Sequence, residues 1–233
     1  NTTGDQNVAI GRNSLDSNTT GAKNIAIGFK ALCTNTTANI NVAIGCGVLI
    51  SNTTGANNSG IGSQSLEDNT TGSDNTAVGV ASGLSVTTGS NNLLLGHDAG
   101  RSNSPNTITT GSDRIVLGNN SITNAYIRVD WTVTSDLRDK MNIEPIPHGL
   151  DFVNQLNPIK FNFKKDRDTE VAHGNKKYGF KAQDILALEG EDNVIIDNED
   201  PNSLKYIGSH LVPVLVNAIK ELKARIEVLE NEW

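Results

Sequence analysis

Ser135 and Lys140, five positions apart in Thr134-Ser135-Asp136-Leu137-Arg138-Asp139-Lys140, are the residues here whose types suit chemistry on the backbone itself. A serine hydroxyl becomes a nucleophile once a base takes its proton, and a lysine amine serves as that base where burial or a neighbouring cation favours its neutral form. The pair lies where one kind of sequence stops and another begins, and this points to a peptide bond that the protein cuts itself. Arg138 could supply the cation, or hold the local backbone through a carboxylate; Asp136 could orient Ser135 or the base. On the residues alone a second reading stands beside this one: a charged linker in which Ser135 caps a turn through Asp136. A regular α-helix sets positions five apart about 140° around its axis. Ser135 and Lys140 therefore meet only if the segment bends or if the lysine comes from another protomer.

The sequence before the junction is a repeat. The motif x-Thr-Thr-Gly starts at Asn1, Asn18, Asn35, Asn52, Asn69 and Val86, each step being 17 residues, with Ala38 once in place of Gly. A seventh copy, Ile108-Thr109-Thr110-Gly111, follows a 22-residue step. The second half of each unit is equally regular, from Val8-Ala9-Ile10-Gly11 to Ile115-Val116-Leu117-Gly118. A fixed period of this kind marks a stacked architecture. Each unit reads as a short strand, β-branched at both ends with a small residue between, bounded by turns in which Asn and Thr can bond their own backbone. One unit cannot bury its apolar face alone, and stacking is expected to bury a continuous stripe. That stripe is thin, and aromatic residues make up only 4% of the chain and apolar residues 36%. Burial by repetition or by association between chains is expected, three chains winding together serving better than one. This part resembles the β-helical and β-roll stalks of trimeric phage fibres and surface adhesins.

Asn-Thr-Thr occurs five times and fits the N-glycosylation sequon, but the same residues are what a turn wants. The threonines sit beside Asn and Gly in turns, which argues against an ice-binding face. Cys33 and Cys46 occupy different positions within successive repeats and read as two free thiols. Neither has a spacing that would hold zinc, and His97, His148, His173 and His210 are scattered, so no metal and no cofactor is expected. A net charge of −7 gives no electrostatic case for nucleic acid, and no apolar run is long enough for membrane insertion. The chain opens inside a repeat with no signal peptide, which predicts a longer protein upstream.

After the junction the sequence is that of an α+β domain. Ile122, Ala125, Ile127, Val129 and Trp131 suggest a closing strand that caps the repeats, so the boundaries fall at 1–133 for the stalk and 134–233 for the second domain. Gly149 to Leu156 has a helical period and stops before Pro158. Ile159-Lys160-Phe161-Asn162-Phe163 alternates as a strand, with a charged connection from Lys164 to Lys177. Gly179 to Leu186 begins a second helix, and Val194-Ile195-Ile196 and Leu204 to Ile207 are short strands. From about Ser209 to Glu232 the apolar positions Val212, Leu215, Ile219, Leu222, Ile226, Leu229 and Trp233 alternate by three and four, the seam of a coiled coil. An amphipathic helix packed on its own domain is the alternative. Pro213 is expected in the first turn. The fold expected is a 17-residue-period β-solenoid stalk followed by a small α+β domain that ends in a long coiled-coil-like helix.

Ser135-Asp136-Leu137-Arg138-Asp139-Lys140, the helix region from Ile143 to Leu156, Pro158 to Phe163, Gly179-Phe180-Lys181-Ala182-Gln183-Asp184, Tyr206 and Val216 to Leu222 together resemble the intramolecular chaperone auto-processing domain of phage tail spikes and fibres, of the endosialidase type. The resemblance covers about residues 134–233, with Phe163 where tryptophan is expected. It implies a homotrimer whose C-terminal domain assists assembly and then cuts the bond before the signature serine, here Thr134–Ser135. Ser135, Lys140 and Asp136 are the implied catalytic residues of a Ser-Lys peptidase acting once on itself, supported by Arg138 and Gln183. Leu215, Ile219, Leu222, Ile226 and Leu229 are the implied trimerisation residues. The implied location is a virion, with the cut fragment released in the host cell. Eukaryotic membrane-tethered transcription factors share this domain, but the repeats favour a viral fibre. Two other readings stay open: a fibre or adhesin module that trimerises without cutting, and a stalk that binds a host receptor or glycan.

Overall fold

The computed structural model describes residues 1–101, 107–165, 167–191 and 193–232. Part of the longer connection before the seventh repeat, 102–106, and the heptad position Trp233 lie outside the described residues. The chain divides into two compact units, Asn1–Ala125 with Lys164–Val171, and Tyr126–Phe163 with Ala172–Trp233.

In the first unit seven three-residue strands, β1 (Val8–Ile10), β2 (Ile25–Ile27), β3 (Val42–Ile44), β4 (Ser59–Ile61), β5 (Thr76–Val78), β6 (Leu93–Leu95) and β7 (Ile115–Leu117), form one parallel sheet in chain order. Each strand aligns with its counterpart one turn on, Ala26 with Ala43 and Leu94 with Val116, so the longer sixth step leaves the register intact. This is a β-solenoid with one strand per 17-residue turn.

The alternation runs opposite to the expected burial. Successive strand residues face opposite sides, and here the small central residue faces in: Ala26, Ala43, Ala77 and Leu94 are 0% exposed. The flanking Val8, Ile10, Ile25, Ile44, Ile61 and Leu95 remain 37–58% exposed. The aliphatic stripe is thus an outer face of the single chain. The reason is size. A 17-residue coil is narrow, and its interior is filled from the opposite wall by Leu15, Leu32, Leu49 and Leu66. Each of these has φ between 50° and 52°, a left-handed conformation that costs about 1–2 kcal/mol for an L-residue. Full burial of the leucine, about 1.5–3 kcal/mol, offsets it. Further along the same row stand Gly83 and Gly100, because the inward residue of that strand is now Leu94, whose methyls occupy the space a Cβ on either glycine would need.

Polar ladders hold the turns in register. The side-chain amides of Asn18, Asn35, Asn52 and Asn69 each donate to Oδ1 of the asparagine 17 residues earlier, at 2.8–3.1 Å. They also donate to the carbonyl three residues on. In a second ladder the backbone N–H of Asn24, Asn41, Asn58, Asn75 and Asn92 donates to Oδ1 of the asparagine one turn back, at 2.9–3.1 Å. The hydroxyls of Thr19, Thr36, Thr53 and Thr70 donate to the next turn's threonine carbonyl, so they bond between turns as well as shaping their own. Four of the five sequon asparagines are buried in the first ladder and out of reach of a glycosyl donor once folded. That ladder ends at Asn69, whose Oδ1 is buried without a partner because Val86 occupies the next rung. Asn35→Ala removes the donor to Asn18 Oδ1 and the acceptor for Asn52 Nδ2 and should lower the solenoid's stability by about 1–3 kcal/mol, read as a lower melting temperature; an unchanged one contradicts the ladder's role.

The second unit contains a 3₁₀ turn (Leu137–Asp139), α1 (Leu150–Val153), the hairpin β8 (Ile159–Lys164) and β9 (Ala172–Gly179), α2 (Ala182–Glu189), an antiparallel pair β10 (Ile196–Asp197) and β11 (Lys205–Tyr206), and α3 (Gly208–Asn231). Much of the expected charged connection is therefore strand β9. The first helix is shorter than its apolar period suggests. Phe152, Ile185, Ile195, Ile196, Leu211 and Val214 form the core. Helix α3 begins at Gly208, which puts Pro213 in its second turn and corrects the first-turn expectation. The segment expected as a closing strand, Ile122 to Trp131, forms no strand in the single chain.

Candidate active site

The chain reaches the site through Asp136, whose extended backbone and side chain cap the 3₁₀ turn. Asp136 Oδ1 accepts from the Arg138 backbone N–H at 2.9 Å and from Arg138 Nε at 3.0 Å, while Oδ2 accepts from the Arg138 guanidinium at 2.6 Å. Asp139 N–H donates to Asp136 O and Lys140 N–H to Leu137 O, closing the turn. A 3₁₀ turn completes a circle in three residues, so the chain leaving at Lys140 returns alongside the chain that entered at Ser135. Lys140 Nζ lies 2.9 Å from Ser135 Oγ and donates to it. The bend that the five-residue spacing requires is present, and the contact forms within one chain.

The electrostatics follow the same pairing. Side-chain and backbone hydrogen bonds from Arg138 hold the Asp136 carboxyl below its ordinary value of 3.8, and Asp136 raises the Arg138 guanidinium in turn. A depressed carboxyl keeps this network intact above the ordinary carboxylate range and releases it as pH falls through the lowered value. In this turn Asp136 accepts from the Arg138 backbone and guanidinium, and Arg138 holds the backbone through that carboxylate. Thr134, Ser135, Asp136, Arg138 and Lys140 are all exposed in the single chain. Gln183, the second residue of α2, is exposed and makes no hydrogen bond with this turn among the described residues.

Helix α3 presents two faces. Leu211, Val214 and Ala218 pack on its own domain. Leu215, Ile219, Leu222, Ile226 and Leu229, the heptad row, are 38–66% exposed. The residues packed on the domain and the exposed heptad row are therefore different residues of one helix.

Two clasps that the sequence reading missed fix the domain. Glu189, the last residue of α2, is buried and accepts backbone N–H bonds from Val194, Ile195 and Ile196 at 2.7, 2.6 and 3.0 Å. On α3, Asn217 Nδ2 donates to His148 O at 2.9 Å, and Glu221 accepts from the Leu150 N–H at 2.7 Å. Glu221 so caps α1, which has no cap of its own, and lies so close that Gly149 leaves no room for a Cβ. The available signal was the i, i+4 spacing of Asn217 and Glu221 against a helix start without a capping side chain.

Residues 135–195 match the family described as chaperone of endosialidase. No curated protein and no solved structure matches the chain. The match opens at Ser135, the residue that touches Lys140, and a β-solenoid precedes it. The segment from Ser135 to Ile195 is therefore similar to the endosialidase-chaperone family, a family of self-cleaving peptidases found in phage tail proteins.

Proposed function

We propose that this chain is the C-terminal part of a viral tail fibre or spike, in which the domain from Ser135 brings three chains into register, guides winding of the β-repeat stalk, and then severs itself at Thr134–Ser135. The family match that begins at Ser135, where Lys140 Nζ contacts the hydroxyl, carries this reading. Self-association is supported by two uncovered apolar surfaces, the outer face of the solenoid sheet and the heptad row of α3. A stalk of near-identical 17-residue units can slip by a whole unit and keep most of its cross-chain pairing, so a clamp is needed to set register. Removing the clamp afterwards blocks reversal and leaves a kinetically trapped fibre.

Ser135 Oγ attacks the Thr134 carbonyl carbon, forming an ester as the Thr134–Ser135 C–N bond breaks. Lys140, as a neutral amine, takes the hydroxyl proton and passes it to the departing Ser135 nitrogen. Water then hydrolyses the ester, releasing the Thr134 carboxylate and restoring the serine hydroxyl. Asp136 and Arg138 hold the turn that presents both groups. In the single chain the Lys140 side chain is solvated and donates to Ser135, the reverse of what a base does; burial favours the neutral amine.

That exposure is also the observation favouring the second reading, a trimerisation module that never cuts. Electrophoresis under denaturing conditions, with N-terminal sequencing, separates the two: a fragment beginning at Ser135 supports cutting, and a permanently intact chain supports the alternative. A receptor- or glycan-binding role would lie elsewhere in a longer protein, since Phe29 is the single aromatic residue in 1–120.

A further inference from the structure

The segment Ile127 to Val133 ends one residue before the proposed scissile carbonyl and has the pattern of a half-buried strand without a sheet. Ile127, Val129, Trp131 and Val133 alternate with Arg128, Asp130 and Thr132. In the single chain those four apolar residues are 52–80% exposed. From Thr123 to Thr134 no backbone N–H or C=O is hydrogen-bonded to protein among the described residues. Such a run of open backbone and aligned apolar side chains is a template for pairing with another chain.

We infer that Ile127–Val133 becomes a strand only between copies of this chain, each copy's segment packing against the same segment of two others, and that this strand holds the Thr134 carbonyl towards Ser135 Oγ. The inference deepens the function proposed above and rests on it for the cutting step. Charge argues for an identical partner. Arg128 and Asp130 lie two apart on the polar side, so in a parallel pair each Arg128 has the neighbour's Asp130 on the diagonal, where opposite charges stabilise. The apolar side has no charge to bury. Forming the strand fixes the backbone that carries Thr134 and places apolar side chains beside a turn that is otherwise open to solvent. Both effects promote the reaction: orientation of the carbonyl towards Ser135 Oγ, and burial that favours neutral Lys140.

Trp131 reports the state directly once Trp233→Phe leaves it the single tryptophan. In the full-length Ser135→Ala, Trp233→Phe chain, assembled as judged by sedimentation, Trp131 emission is expected to shift to the blue and to resist acrylamide quenching. Adding Val129→Asp should restore solvent-like emission while α3 preserves the oligomer, and in the Ser135-containing protein it should slow cutting by about 10²-fold. Free quenching of Trp131 in the assembled chain, or wild-type cutting by Val129→Asp, overturns the inference. If the wild-type chain never cuts, protected Trp131 still supports the intermolecular strand, and the proposed peptidase step is what fails.

Discussion

A Ser135→Ala chain is expected to stay whole indefinitely while assembling as the parent does. The substitution removes the oxygen that attacks Thr134 and leaves the turn standing, because the turn is held by Asp136, Arg138 and backbone bonds and not by the serine. Lys140→Ala should behave differently. It leaves the nucleophile and removes the base, which lowers the rate by about 10²–10⁴-fold, so slow appearance of the fragment over days is the expected result. Since Lys140 reaches Ser135 within its own chain, mixed assemblies of Ser135→Ala and Lys140→Ala chains should not recover the parental rate. Fast cutting in such mixtures would move the base to a neighbouring chain. Equal loss of cutting and assembly in Ser135→Ala would make the serine structural.

Glu189→Ala is expected to have the largest effect on folding of the second unit. The carboxylate is buried and receives three backbone N–H groups from Val194 to Ile196. Each bond to a charged acceptor is worth about 1.5–3 kcal/mol, and the contributions are not additive when one group makes all three. Removing it strands the donors beside Ile195 and Ile196, two core residues. A loss of about 3–5 kcal/mol follows, a large share of a small domain's stability. Glu189→Gln keeps one acceptor oxygen and should fall between. Denaturant unfolding of the uncut Ser135→Ala chain measures both. A loss under about 1 kcal/mol for Glu189→Ala would mean that water replaces the carboxylate and that the clasp is incidental. Because the domain is proposed to guide the stalk, the same variant should also lower the yield of assembled fibre.

The solenoid was legible because its signal repeats. Six copies of a short motif at one period, with a seventh after a longer step, leave few alternatives, and the strands fall on the expected triplets. What could not be read was which side of each triplet faces in, since alternation gives two faces and not their direction. The answer came from Leu15, Leu32, Leu49 and Leu66, which lie outside both repeated motifs and which fill the interior. At the junction, the residue types and spacing named Ser135 and Lys140, but the bend between them depends on Asp136 accepting from Arg138, a contact two residues apart that no periodicity reveals. The α3 heptad row was legible at 3.5-residue spacing; its second, domain-facing side at Leu211, Val214 and Ala218 was not, because it falls between the same positions. Ile122 to Trp131 reads as a strand and is none in the single chain. A strand pattern states what the side chains need, not which chain supplies the partner.

The mass of the purified protein, taken first under native and then under denaturing conditions, separates a trimer that severs itself from an intact single chain. A native mass of three chains before cutting is expected and, under denaturation, a break placing Ser135 at the start of the smaller piece. A native mass of one chain, with a backbone still continuous across Thr134–Ser135 after long incubation, would contradict it.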